Sequence, residues 1–385
     1  MLSTFVAIVV SVVGLGFLIL AHEFGHFIVA KATGMRVEEF SIGFGRYLVS
    51  KRIGETVYGI SVLPLGGYVR VTGMHREEFE ARAREAEMEA VEEQRRLPRD
   101  PEDRLAGPRA LGAREIAATP LERRYYAHPF WHKLLFIIAG VAMNALVAFF
   151  LVYAAGLAQG ETVTSTVVEQ VEAGTPAASA GLVPGDRIVE VANRQTPSWE
   201  DVRAQILTHP DETVSVVVER NGERVSLTAR LEKRADGTGY LGVLPVTEHR
   251  SLGVLDALAY AGRTTGSMFW LVLRGMGMMF TGQVPVTGSQ GLAGPVGIIQ
   301  ISAQAVEGGY YLMLLALISI NLAILNMLPL LPLDGGHVLF SIIERIRGKS
   351  ISLRAFERIS MVGFALFVLL FLVATSNDIG RIFGG

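Results

Sequence analysis

Long apolar runs, separated by polar segments, dominate the pattern of this chain. The runs cover residues 4–21, 134–157, 312–331 and 361–374. A helix needs about 20 apolar residues to cross the hydrocarbon core of a bilayer. The last run reaches that length only when it is extended on its N-terminal side. The pattern therefore predicts a polytopic α-helical membrane protein with about four transmembrane helices.

Two further patterns lie between the first and second runs. Residues 37–71 contain short alternating segments with repeated glycines, which predicts a β-hairpin or a small sheet. Strand structure at membrane depth must be buried in protein or line a wet cavity, so we expect a membrane-associated β region. Residues 77–96 mix both charges with few apolar side chains. This segment is predicted to be a solvated cytoplasmic insert, either helical or disordered.

Residues 162–244 have the pattern of a separate water-soluble domain. Asn221-Gly222 is a strong signal for a two-residue hairpin turn. The run from Ala178 to Ile188, ASAGLVPGDRI, resembles the PDZ signature of bacterial envelope proteases, in which Gly-Leu-x-x-Gly-Asp joins a short helix to a buried strand. We therefore expect one PDZ domain. Its predicted strands are residues 163–168, 187–191, 214–219 and 224–231, and its predicted helices are residues 177–181 and 200–207.

The distribution of lysine and arginine predicts the orientation in the membrane. Basic residues flank the loop between the first and second runs and fill the loop between the third and fourth, so both loops are predicted to be cytoplasmic. The termini and the PDZ domain are then extracytoplasmic. Residues 252–280 include Arg263 and Arg274, which favours an amphipathic helix on the membrane surface over a fifth span.

Composition excludes several classes of protein. Half of the 385 residues are hydrophobic and only 19% are charged, which argues against a fully soluble protein. The net charge of −2 gives no bulk attraction to nucleic acid. The chain has no cysteine, so disulfides, cysteine zinc ligands and a cysteine nucleophile are all excluded.

Candidate chemistry lies inside the first apolar run. His22-Glu23-Phe-Gly-His26 is an H-E-x-x-H motif, which on a helix places both histidines on one face as ligands for a single Zn²⁺. Glu23 then lies where it can deprotonate a zinc-bound water. Ionisable residues within a span are costly and usually functional. The alternative is a pair of neutral core histidines beside a glutamate at a helix end.

Zinc needs a third protein ligand from the same depth of the membrane. Pro329 and Pro332 break the third apolar run, and Asp334 is expected to project from an irregular, glycine-flanked segment at the membrane boundary. The first and third spans run in the same direction, so Asp334 reaches the cytoplasmic side, as do His22 and His26. We therefore predict one zinc per chain on these three residues. Alone, Asp-Gly-Gly is equally typical of a simple turn.

With these residues the chain resembles the site-2 protease family of intramembrane zinc metalloproteases, in its bacterial regulator-of-sigma-E protease branch. The likeness rests on the PDZ-like run and on residues 22–26, 40–45, 65–69, 294–297 and 321–335, and covers nearly the whole chain. It implies an endopeptidase of the bacterial inner membrane that cuts within or near the transmembrane segment of single-span proteins. Such substrates include pre-trimmed anti-sigma factors and remnant signal peptides. Membrane lipid is the other expected partner.

The resemblance also implies roles for further residues. Glu23 would be general base and then proton donor, and Asn326 is similar to a family asparagine that binds the substrate backbone. Asn321 is a second candidate, and both asparagines could instead form hydrogen bonds between helices. An unwound substrate could add a strand to the β region, or the glycines there could serve only as turns. The residues predicted to contact it are Gly43, Phe44, Gly45, Gly66 and Gly67.

Three interpretations of the whole chain remain. An intramembrane zinc endopeptidase is favoured, with the PDZ domain as a size gate or as a receptor for a new C-terminus. The others are a membrane-anchored zinc protease of surface substrates and a non-catalytic PDZ membrane scaffold.

The predicted regions are 1–36 (first span), 37–75 (β region), 76–132 (charged insert), 133–158 (second span), 159–248 (PDZ domain), 249–310 (surface helices), 311–336 (third segment), 337–357 (cytoplasmic loop) and 358–385 (fourth span and tail).

Overall fold

The computed structural model of the chain describes residues 2–74, 76, 77, 79–81, 83, 84, 88, 113–234, 236–288, 291–349 and 351–383. Most of the predicted charged insert, including all of residues 89–112, lies outside these ranges. The chain divides into two compact units. The first combines Met1–Ala155 with Leu258–Gly385, and the second is Gly156–Ala257.

Ten helices and ten strands have described bounds, together with two short 3₁₀ turns at Leu121–Arg123 and Tyr125–Ala127, and residues 76, 77, 79–81, 83, 84 and 88 are helical as well. The helices are α1 (Leu2–Ala32), α2 (Ala113–Ala117), α3 (Phe130–Gln159), α4 (Pro176–Ala180), α5 (Trp199–Leu207), α6 (Val254–Phe280), α7 (Pro295–Glu307), α8 (Tyr311–Asn326), α9 (Asp334–Arg347) and α10 (Leu353–Phe383). The strands are β1 (Val37–Ile53), β2 (Thr56–Val71), β3 (Glu161–Val171), β4 (Arg187–Val191), β5 (Arg194–Gln195), β6 (Thr213–Arg220), β7 (Glu223–Arg230), β8 (Glu232–Lys233), β9 (Gly239–Tyr240) and β10 (Val243–Arg250).

Three of the described helices are long and apolar enough to cross a membrane. They lie at Phe5–Ala32, Phe130–Gln159 and Leu353–Arg381, so the last run does extend on its N-terminal side. The third predicted span differs, because α8 has 16 residues and ends at Asn326, just before the prolines. That is short of the roughly 20 residues a perpendicular helix needs. The structure thus supports three spans, and a fourth remains a prediction.

The β region forms as predicted, although its pairing is more complex than one hairpin. Ser41 of β1 is paired with both Tyr68 and Gly59 of β2, so the first part of β1 lies between two segments of the other strand. Shifts in register surround Phe44, where Gly43 and Gly45 take positive φ values of 85° and 92°. Such values are open to glycine at little cost.

Ion pairs anchor this β region to its neighbours. Glu55 accepts hydrogen bonds at 2.7 Å from Lys31 Nζ, at the end of α1, and at 2.7 and 2.8 Å from the Arg123 guanidinium. The hydrogen bonds from Arg123, helped by Lys31, lower the pKa of Glu55 to about 2. The carboxylate is therefore ionised at neutral pH, and it ties the turn between β1 and β2 to the chain that leads into α3.

The second unit has the elements expected for the PDZ domain. Its main sheet has the order β10-β3-β4-β6-β7, with β5 paired to β4, and α4 and α5 lie at the predicted places. Asn221 and Gly222 both have positive φ, as the predicted hairpin turn requires. Asp186 of the Gly-Asp motif is buried and accepts bonds from the Val183 N–H and the Arg220 guanidinium. Burial would raise the pKa of Asp186, but these bonds hold it below its usual value.

The region 249–310 contains two helices, α6 and α7, and neither is among the helices that qualify as spans. Their place on the membrane surface stays a prediction. The Gly294-Pro-Val-Gly297 motif begins α7, with Gly294 as its N-cap and Pro295 in the first turn. Asp378 of α10 is buried and accepts the N–H groups of Gly294 at 3.0 Å and Gly297 at 2.8 Å. A carboxylate at a helix N-terminus satisfies backbone donors that have no partner within the helix.

This contact predicts that Asp378→Ala lowers the free energy of unfolding by about 2–3 kcal/mol, because two buried N–H groups lose a charged acceptor. Asp378→Asn retains one acceptor oxygen and should have a smaller effect. Thermal unfolding of the detergent-solubilised protein measures both. Equal melting temperatures for wild type and Asp378→Ala would show that the contact does not hold α7 in place.

Candidate active site

Helix α1 presents His22 and His26 on one face, one turn apart. Their ring centroids are 4.9 Å apart, their Nε2 atoms are 3.3 Å apart, and both residues are buried. Gly25 allows α3 to approach this part of α1, because a Cβ there would overlap the carbonyl of Ala139. The H-E-x-x-H motif therefore has the geometry that its spacing predicts.

Asp334 joins the two histidines from the beginning of α9. The structure corrects the expectation of an irregular position, because Asp334 is the first residue of the helix Asp334–Arg347. The chain between α8 and α9 packs closely on this first turn. A Cβ at Gly335 would overlap the Met327 carbonyl, and one at Gly336 would lie 2.7 Å from Leu330. The two glycines thus let α9 begin close enough to α1 for its first side chain to reach the histidines.

These three residues form a metal-ligand set. Asp334 Oδ2 lies 3.0 Å from His22 Nε2 and 3.4 Å from His26 Nε2. Tetrahedral zinc holds nitrogen and oxygen ligands at about 2.0–2.1 Å, which places ligand atoms about 3.3 Å apart. Oδ2 is buried and, apart from these two histidine contacts, has no hydrogen-bond partner among the described residues. The residues therefore fit zinc, with a fourth position left for water or substrate.

Glu23 lies half-buried on α1, between this ligand set and the β region. It is close enough to interact electrostatically with all three candidate ligands, and the backbone of Val69 lies beside its carboxylate. A Cβ at Gly67 would lie 2.9 Å from the Glu23 side chain. The β region thus packs directly on the predicted catalytic residue.

Comparison with known proteins decides the family. The model for peptidase family M50 matches residues 10–370, which include the whole ligand set. The chain belongs to peptidase family M50. This confirms the resemblance to the site-2 proteases, and the M50 peptidase is a zinc metalloprotease with membrane helices.

Bacterial relatives match the M50 peptidase over almost their full length. A zinc metalloprotease RasP from Shouchella clausii is 33% identical, with 95% of this chain and 97% of the relative covered. The regulator of sigma-W protease RasP from Bacillus subtilis is 30% identical, with 98% and 99% covered. The probable protease eep from Enterococcus faecalis is 29% identical. A PDZ domain structure from a Listeria monocytogenes SdrC-like protein is 23% identical over 22% of this chain and 92% of its own, with a TM-score of 0.20.

The residues predicted to contact substrate fall into two groups in the M50 peptidase. Phe44 stacks on Tyr68 and lies against Gly66, so the glycine segments of β1 and β2 adjoin each other beside Glu23. Asn326 is half-buried and Asn321 is exposed, and neither side chain is hydrogen-bonded to another described residue.

Sequence analysis did not identify the contribution of α3. His26 Nδ1 lies 2.7 Å from the carbonyl oxygen of Phe136, and Asn144 Nδ2 lies 3.3 Å from His22 Nδ1. Between them, Gly140 leaves space for the rings, because a Cβ there would overlap His26 Nε2 and lie 2.8 Å from His22 Cε1. A signal was available, since Asn144 is a polar residue within an apolar run, as Asn321 and Asn326 are.

The close contact of Gly140 predicts that Gly140→Ala displaces the histidine rings and weakens zinc binding about 10- to 100-fold, the range typical of disturbed ligand support. Gly16→Ala is the matched control, because nothing lies within 4 Å of a Cβ at that position of α1. Competition with a chelating dye measures the zinc affinity of both. Equal affinities for Gly140→Ala and wild type would contradict the described packing of α1 and α3.

Proposed function

We propose that this M50 peptidase is an intramembrane zinc endopeptidase that hydrolyses peptide bonds within or near the transmembrane segment of single-span proteins. One observation carries the proposal. His22, His26 and Asp334 converge to within 4.8 Å on a face of α1, and α1 is a candidate membrane span. Among the described residues, this is the one group of histidine and acidic side chains with the spacing of a metal site.

Each residue has a role in hydrolysis. His22, His26 and Asp334 hold the zinc, which when bound polarises the scissile carbonyl and makes a coordinated water more acidic. Glu23 takes the proton from the attacking water and transfers it to the leaving amine. Its half-buried side chain packs against Gly67 of β2, so it is held beside the ligand set before a substrate binds.

The β region is proposed to bind the unwound substrate as an added strand. A peptide bond inside a helix is shielded, so the substrate must become extended before Glu23 can act on it. Gly66 and Gly67 bring β2 against Glu23, and Phe44, Gly43 and Gly45 lie beside them. Asn326 and Asn321, whose amides are not hydrogen-bonded within the described part of the chain, are proposed to bind backbone groups of the same substrate.

The second unit is proposed to be an extracytoplasmic PDZ domain that excludes substrates with large external domains. Its support is the Gly-Asp motif at Asp186, the sheet order and the positive-inside distribution of basic residues. The termini are proposed to lie on the same side, and the ligand set near the cytoplasmic side of the bacterial inner membrane. Candidate substrates are pre-trimmed anti-sigma factors and remnant signal peptides.

The two other interpretations receive less support. A protease of surface substrates needs its third zinc ligand in the soluble domain, whereas Asp334 belongs to α9 of the membrane unit. A scaffold has no use for a glutamate between a ligand set and a strand. Membership of family M50 also favours a peptidase.

The test is cleavage in proteoliposomes. The purified protein is supplied either with a single-span reporter or with a water-soluble peptide that contains only the reporter's flanking sequences. We expect cleavage of the reporter alone, its loss on treatment with a zinc chelator and its recovery when zinc is added. Cleavage of the soluble peptide at an equal rate would instead support the surface protease, and no zinc-dependent cleavage of either would support the scaffold.

A further inference from the structure

The two candidate histidine ligands differ in which group contacts Nδ1, the ring nitrogen that is not directed at the metal site. Both rings direct Nε2 towards Asp334, so Nδ1 faces away from the ligand set in each case. His26 Nδ1 lies 2.7 Å from the Phe136 carbonyl oxygen, which can only accept a hydrogen bond. That contact fixes the proton of His26 on Nδ1 and leaves the Nε2 lone pair for the metal.

His22 Nδ1 faces the side-chain amide of Asn144 at 3.3 Å. If the Nε2 of His22 binds zinc, its Nδ1 carries a proton and needs an acceptor, as His26 does. The amide as placed presents Nδ2, which is a donor, while Oδ1 is buried and has no partner among the described residues. The oxygen and nitrogen of an amide are assigned from the surrounding hydrogen bonds. If the Asn144 amide is rotated by 180°, Oδ1 faces His22 and Nδ2 is the atom without a described partner. Each orientation therefore leaves one amide atom unpaired, and the contact with His22 decides between them.

Asn144 is well placed for this role. The residue is fully buried, and its backbone carbonyl accepts a 2.8 Å hydrogen bond from the buried Ser319 hydroxyl of α8. Phe136, Gly140 and Asn144 are spaced four residues apart, so they lie on one face of α3. That face supplies an acceptor for His26, space for both rings and an amide for His22.

We propose that Asn144 is a positioning residue of the zinc site, with Oδ1 accepting the Nδ1–H of His22. It keeps His22 in the tautomer and ring orientation that expose Nε2 to the metal, and it touches neither zinc nor substrate. The proposal rests on the proposed function, because it requires that His22 and Asp334 hold zinc. It assigns α3 to the metal site alongside α1 and α9.

Zinc affinity of the full-length protein in detergent, measured by competition with a chelating dye, tests the proposal. Asn144→Leu keeps the volume but removes the acceptor, and Asn144→Ala removes both. We expect each to weaken zinc binding about 10- to 100-fold, as loss of a supporting hydrogen bond does at other zinc sites. Asn144→Asp supplies a carboxylate acceptor and should bind zinc within a few-fold of wild type.

A merely structural role for Asn144 reverses this order. Asn144→Leu would then keep wild-type zinc affinity, and Asn144→Asp, which buries a charge, would lose it. Either result overturns the proposal. The proposal expects the acceptor-free variants to lose zinc affinity and the acceptor-bearing variant to keep it, so either Asn144→Leu or Asn144→Asp decides if it folds by circular dichroism. Wild-type protein without zinc would contradict the proposed function itself, whereas zinc-binding wild type with an unaffected Asn144→Leu contradicts only the role of Asn144.

Discussion

Glu23→Gln should reduce kcat/KM for a single-span reporter by about 10²- to 10⁴-fold, the contribution typical of a positioned general base. Glutamine has nearly the same shape and can keep the packing of the Glu23 side chain against Gly67, so the local fold should persist. It cannot take a proton from water. The zinc content, measured by mass spectrometry of the metal, should equal that of wild type because Glu23 is not among the three ligands.

Glu169→Gln is the matched control for this change, since Glu169 is an exposed residue of β3 and should keep full activity. Normal zinc content together with lost cleavage would show that Glu23 acts as a general base and not as a zinc ligand. Full activity in Glu23→Gln would remove Glu23 from the mechanism. Loss of zinc together with activity would instead make Glu23 a part of the metal site.

Asp334→Ala has the second large effect, which is on metal binding itself. Structural zinc sites with a full protein ligand set contribute about 10–16 kcal/mol, so one ligand carries several kcal/mol of that energy. We expect zinc affinity to fall on the order of 100-fold or more, with a parallel loss of cleavage.

Titration of zinc into chelator-treated protein measures this affinity directly. Asp256→Ala, at an exposed position in the first turn of α6, controls for the loss of a helix-terminal aspartate. Zinc affinity equal to wild type in Asp334→Ala would mean that another residue completes the site. Recovery of cleavage at high zinc concentration would show that the loss is one of affinity alone.

The parts of this site that the sequence predicts are those with a local signature. His22, Glu23 and His26 are adjacent on one helix, where fixed spacing determines geometry. Asp334 is distant in sequence, but its place after a broken apolar run limits it to one depth of the membrane. The hairpin at Asn221-Gly222 was predictable for the same reason, because its backbone preference resides in the two residues themselves.

The parts that were missed depend on contacts across the chain. Asn144 meets His22 over a separation of 122 residues, and Asp378 meets Gly294 over 84, so no local pattern encodes either pair. No sequence pattern marks Gly140 as important. Its role depends on the absence of a Cβ, which would overlap the histidine rings of another helix. The start of α9 at Asp334 was also missed, because glycines after an aspartate indicate a turn unless close packing favours a helix.

The position of the scissile bond tests the central claim most directly. Wild-type protein would be incubated with a single-span reporter in proteoliposomes, and the products would be identified by mass spectrometry. An intramembrane peptidase with its ligand set on a membrane-spanning α1 predicts one main cut within or at the edge of the reporter's apolar segment. Cuts confined to the water-exposed flanks, with the apolar segment intact, would contradict that account.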